Sequence, residues 1–113
     1  MKVEKVFVSF RFAINDVTKA TNSDDRIYPI LLLAVHQLFS DVPELRIDAD
    51  LQEVMIPLQY AALGDDVPIP DTYLQPCVDW MAHRYFMGDS GAARDENRSK
   101  EHLASYRRVM MAE

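Results

Sequence analysis

One cysteine stands among the 113 residues, Cys77, so the chain can form neither an internal disulfide nor a multi-cysteine zinc site. It lies among apolar helical positions with no glycine-rich elbow beside it, and reads as a small buried hydrophobe rather than a nucleophile. Glycine is scarce too, at three residues, and none of G-x-x-x-x-G-K, G-x-S-x-G or H-E-x-x-H occurs. These gaps argue against a phosphate-cradling loop, a serine-hydrolase elbow and a zinc-protease helix. Long apolar runs are missing as well. The opening "MKVEKVFVSFRFAIND" is interrupted by Glu4 and Arg11, and no small-residue cleavage site follows it. The expectation is a soluble chain made in the cytoplasm, with no signal peptide and no membrane partner.

Positive charge is what the centre lacks. Residues 41–89 hold two basic groups, Arg46 and Arg84, against ten acidic ones, while each flank is net +1 and the whole chain −6. Such a centre repels phosphate backbones, which disfavours a DNA-gripping helix pair.

What is present is ordinary globular material. Hydrophobic residues make up 49% and charged residues 27%, and the length suits a single domain over 1–113. Residues 3–18 fit either period: Val6, Val8, Phe10, Phe12 and Ile14 alternate, whereas Val3, Val6, Phe7, Phe10, Ile14 and Val17 follow helical spacing. Sixteen residues is long for a strand, so a helix is expected. A second helix is expected from about Arg26 or Pro29 to Ser40, because proline is tolerated only in a first turn. Its stripe is Ile27, Leu31, Ala34 or Val35, and Leu38, widened by Leu32 and Phe39.

Residues 45–60 carry short alternating runs, at Leu45, Ile47 and Ala49 and again at Val54, Ile56 and Leu58, which predict an extended arm or short β-hairpin. Gly64, Pro68 and Pro70 then fix a rigid loop over 64–72, with Asp71 as the natural cap of the next helix. That helix, to about Met87, buries Leu74, Val78, Met81 and Tyr85. A last helix over about 94–110 turns inward Ser99, Leu103, Tyr106 and Met110. The fold class is therefore mainly α, a small bundle of about four helices with an arm between the second and third. Tyr73, Trp80, Tyr85 and Tyr106 read as core.

Chemistry is hard to find. Asp48 and Asp50 share a face if extended, but no further metal ligands stand near them. His36, His83 and His102 fall on three different helices, none with a partner one turn away. Arg94, Arg98, Lys100, Arg107 and Arg108 alternate with Asp95, Glu96 and Glu101, the pattern of a solvated helix. No catalytic residue, metal or cofactor is expected. The residues suit an interaction protein.

The order of elements, with "DVPELRIDAD", "MIPL" and above all "VPIPDTYLQPCVDW", resembles the head–tail connector adaptor proteins of tailed bacteriophages. The resemblance covers about residues 24–108 and is strongest over 41–89. It departs from the family pattern in lacking a tryptophan before the second helix and a glycine in the turn after "IDAD". It implies a structural virion protein without enzymatic activity, commonly twelve copies in a ring under the portal protein at the neck. The ring extends the DNA channel without binding DNA specifically, and docks tail or stopper proteins. Subunit or portal contacts are expected from Arg46, Ile47, Val54 and Ile56 on the arm, and from Val67, Pro68, Ile69, Pro70 and Tyr73 on the loop. The competing expectation is a cytosolic helical adaptor or regulatory module that binds one protein partner.

Overall fold

A computed structural model describes residues 1–15, 23–88 and 95–111. Four α-helices occur among the described residues: α1 (Val3–Ala13), α2 (Asp24–Asp41), α3 (Leu74–Phe86) and α4 (Glu96–Met111). Short 3-10 turns occupy Pro43–Arg46 and Asp71–Tyr73. The described residues contain no β-strand, only two isolated bridges.

The two periods that compete in the first segment are separated by burial. Val3, Val6, Phe7 and Phe10 are buried, while Val8 and Phe12, which a strand would place with Val6 and Phe10, are 66% and 79% exposed. Helical period wins. The helix ends at Ala13, earlier than expected, and residues 16–18 lie outside the described ones. No side chain caps its start. Instead the amides of Val3 and Glu4 donate to the carbonyls of Asp65 (3.0 Å) and Leu63 (2.9 Å), so a distant loop supplies acceptors for the orphan donors.

The second helix begins at Asp24, ahead of the expected start, and holds Pro29 inside it. Proline forfeits one bond, to the carbonyl of Asp25, near an end where few bonds have yet formed, and its ring faces solvent. Two acidic residues in the first turn favour the earlier start by opposing the helix dipole. Arg11, which the sequence presented as a break in an apolar run, is 4% exposed. Its Nη2 donates to Asp24 Oδ1 at 2.6 Å, tying the end of α1 to the start of α2.

Helix α3 is the centre of the molecule, packed on α1, α2 and α4. Pro76, Cys77, Val78, Met81, Ala82 and Phe86 are buried on it, against Leu31, Val35 and Leu38 of α2 in one continuous core. Asp71 does not cap it. No side chain bonds its first amides, and the Asp71 carboxylate instead accepts from Lys5 Nζ at 2.9 Å.

Helix α4 differs from the others. Only Ser99 and Tyr106 are buried on it. The expected inward residues Leu103 and Met110 are half-buried. Of the four aromatics read as core, Tyr106 is fully so, and Tyr73, Trp80 and Tyr85 are half-buried at its edge.

Candidate functional site

The loop "VPIPDTY" alternates in burial as an extended chain must. Val67 and Ile69 are 2% and 3% exposed, while Pro68 is half-buried and Pro70 faces solvent. The segment is held by its own chain. Lys2 and Asp66 form an antiparallel bridge, the amide of Val67 donates to the Met1 carbonyl at 2.7 Å, and the Met1 amino group donates to the carbonyls of Val67 and Ile69. The amide of Ile69 closes a tight turn over Pro68 onto the Val67 carbonyl at 2.8 Å. Surface pairs Lys2–Asp66 and Lys5–Asp71 flank it, each at 2.9 Å. Their hydrogen bonds and positive charge hold both carboxyls below the usual carboxylate range. The side chains of Val67 and Ile69 therefore face the chain's own core. The outward groups of this loop are Pro68, Pro70, Asp71 and Thr72, with Tyr73 half-buried.

The arm over 45–60 is not built as a β-hairpin. A single antiparallel bridge joins Ile47 and Glu53, with the amide of Val54 on the Arg46 carbonyl (2.8 Å) and that of Asp48 on the Gln52 carbonyl (2.9 Å). The physical reason lies in Asp48. Its Oδ1 accepts from the amides of Asp50 (2.9 Å) and Gln52 (3.0 Å), which curls residues 48–52 into a turn where sequence alternation suggested a strand. The two carboxylates expected to share a strand face do not: Asp48 is turned to its own backbone. Beyond Val54 no ladder continues, and Pro57 has no N–H to give one.

Arg46 secures the base of the arm. Its Nε donates to the Phe39 carbonyl at 2.8 Å, satisfying one of the orphan acceptors at the end of α2. Val54 and Ile56 are half-buried along a recess of about 340 Å³ between the arm and α2, bordered by His36, Phe39 and Ser40. Ile47 is 55% exposed. The most open apolar residues of the arm were not among the expected contacts: Leu51 is 83%, Met55 74% and Leu58 97% exposed. Leu51 also sits at φ 62°, left-handed backbone where glycine or asparagine is the ordinary occupant. Counting which residues of 47–58 a half-paired turn leaves uncovered would have found them; reading 54, 56 and 58 as one strand face treated Leu58 as the equal of the half-buried Val54 and Ile56 and passed over Leu51 and Met55.

A polar seam fastens α4 to the bundle. His83 Nδ1 lies 2.9 Å from Ser99 Oγ and 3.2 Å from the Ser99 carbonyl, and Ser99 Oγ donates to the His83 carbonyl at 2.9 Å. A carbonyl can only accept, so Nδ1 carries the hydrogen. His102 Nδ1 donates to Asp79 Oδ1 at 3.0 Å, where Gln75 also donates at 3.3 Å. Asp79 is 5% exposed. The Tyr106 hydroxyl donates to Asp41 Oδ2, and burial followed by that bond pushes its pKa well above the usual phenol value. Arg98 lies 4.9 Å over the Phe86 ring, which also stacks on His102.

Desolvation, then the charges of Arg107, Arg84 and His102, lower the His83 pKa below its ordinary 6.5, against an opposing bond from Ser99. The unfolded chain therefore takes up a proton before the folded one does. Stability is unaffected by His83 above 6.5 and falls as pH drops below it, until both forms are protonated. Thermal melts between pH 7.5 and pH 5 (about the range where imidazole titrates) are expected to show a smaller acid-side loss in His83→Gln than in the parent chain. Parallel curves would remove this role.

Cys77 is fully buried, and burial pushes its thiol up to about 12. Among the described residues no group of three or more His, Cys, Asp and Glu could hold a metal ion, and no helix is long and apolar enough to cross a membrane. Comparison with family models, curated proteins and solved structures gave no match to the chain.

Proposed function

We propose that the chain is a structural adaptor subunit of a tailed-bacteriophage virion, placed at the neck between head and tail. Copies of it form a ring beneath the portal protein, twelve in the pattern that the resemblance implies, lengthen the DNA channel, and dock a tail or stopper protein. No reaction is assigned to it. The observation that carries this reading is the arm: Ile47, Leu51, Met55 and Leu58 are all more than half exposed on one short segment. A lone chain gains nothing from holding them in water, whereas a neighbour that covers them gains their burial, at roughly 25 cal/mol per Å² of apolar area. The net charge of −6 agrees, because a ring multiplies it and a wall of that sign lets DNA pass without sticking.

The test is assembly. Mixed with a candidate portal, the chain is expected to give rings visible below the portal by electron microscopy. Ile47→Asp should abolish them while leaving far-UV circular dichroism unchanged, and Ile56→Asp should weaken them with a small loss of stability. Unaltered rings in both variants would sink the arm as the contact. A monomer or dimer that ignores portals and binds a single cytosolic protein would replace the whole reading with the helical adaptor alternative.

A further inference from the structure

Resting on that reading, we propose which surfaces meet when copies associate: the arm tip of one chain seats on the C-terminal turns of α4 in the next. Residues 47–58 contain Asp48, Asp50 and Glu53 and no basic group, interleaved with the exposed Ile47, Leu51, Met55 and Leu58. The complementary surface must be apolar and basic. On α4, Arg107 and Arg108 flank the exposed Met111 (82%), with no acidic residue between 102 and 111, while Val109 turns to the opposite face of the helix. Another exposed apolar face, Val8 and Phe12 on α1, is a poorer match. Its neighbouring cations Lys2, Lys5 and Arg11 are already paired with Asp66, Asp71 and Asp24. Arg107 and Arg108 make no ion pair among the described residues, and neither do Asp50 and Glu53.

Geometry favours a contact between copies over one within a copy. The last two turns of α2 separate the two surfaces: His36 and Ser40 border the arm, while Gln37 and Asp41 border α4. The α4 side opens a recess of about 600 Å³ bounded by Trp80, Leu103, Tyr106, Arg107, Met110 and Met111. It is large enough for Leu51 and Met55, with Arg107 at its rim to meet Asp50 or Glu53. Two unlike surfaces on different flanks give a head-to-tail contact, the kind that repeats until a ring closes.

The full chain is used for the test. Leu51→Cys and Met111→Cys variants, each carrying one of the two changes, are mixed and oxidised, and sedimentation is measured in parallel on the parent chain and on charge variants. A disulfide between the two variants is expected, absent when either is oxidised alone. Asp50→Lys with Glu53→Lys should weaken association about tenfold, as should Arg107→Glu with Arg108→Glu, and a mixture of the two reversed chains should recover it. Association of the parent chain without that cross-link and without charge recovery overturns this pairing and leaves the ring standing. A Leu51→Cys/Met111→Cys chain that closes only on itself overturns it too. A parent chain that stays monomeric, with no disulfide formed between the mixed variants, also overturns it, while rings on the portal are scored separately.

Discussion

His102→Ala is expected to destabilise the fold by about 2–4 kcal/mol, because it strips the Asp79 carboxylate of its imidazole partner in a site that water barely reaches. For a domain of this size that is a fall in melting temperature of roughly 10–20 °C. Among the described residues, the carboxylate then keeps the longer bond from Gln75, at 3.3 Å. Removal of both partners should hurt less than removal of one. Asp79→Leu with His102→Leu leaves no buried polar group unpaired, since the exposed Gln75 amide can turn to water, and recovery to within about 1 kcal/mol of the parent is expected. Equal losses in single and double variants would show that the stacking of His102 on Phe86 matters instead of the pair. Hydrogen exchange supplies the second measurement: amides of α4 should lose protection in His102→Ala before those of α1 and α2.

Leu38→Ala and Leu58→Ala are the same chemical change at opposite extremes of burial, 0% against 97% exposed. The first leaves a cavity in the buried core and is expected to cost roughly 2–5 kcal/mol, a large share of a total of about 5–15 kcal/mol. The second should change stability by less than about 0.5 kcal/mol. Its effect belongs to association: if the arm serves a neighbour, Leu58→Ala weakens assembly with an unchanged denaturation midpoint. A Leu58→Ala chain that unfolds as readily as Leu38→Ala would mean that the arm is packed on its own body.

What could be read from the sequence follows the range of the interactions. Helical stripes are local, and Ile27, Leu31, Val35 and Leu38 were legible because residues one turn apart share a face whatever else the chain does. The N-terminal boundary of α2 was not, since the rule that proline belongs in a first turn is softer near an end, where one missing bond costs little. The arm failed differently. Alternation in "LRIDADL" gave the right residue types for a strand, but a short carboxylate at Asp48 offered the backbone a nearer partner than a second strand could. The loop residues Val67 and Ile69 were placed at an interface because nothing nearby in sequence covers them; the cover comes from the chain's own core, with Met1 holding the loop backbone against it. The seam under α4 was beyond reach for the same reason. His83 meets Ser99, Asp79 meets His102 and Asp41 meets Tyr106 across separations of 16, 23 and 65 residues, and no local pattern announces such pairs.

The prolines of "VPIP" have an effect on company as well as on shape. An extended segment lying at a protein's surface invites stray strands to zip onto it through vacant amide donors. Here the residues that turn outward, Pro68 and Pro70, possess no such hydrogen, so the invitation is withdrawn at both positions. Anything that settles on this rim must recognise its contour, and misfolded or unrelated chains at high concentration find little there to grip.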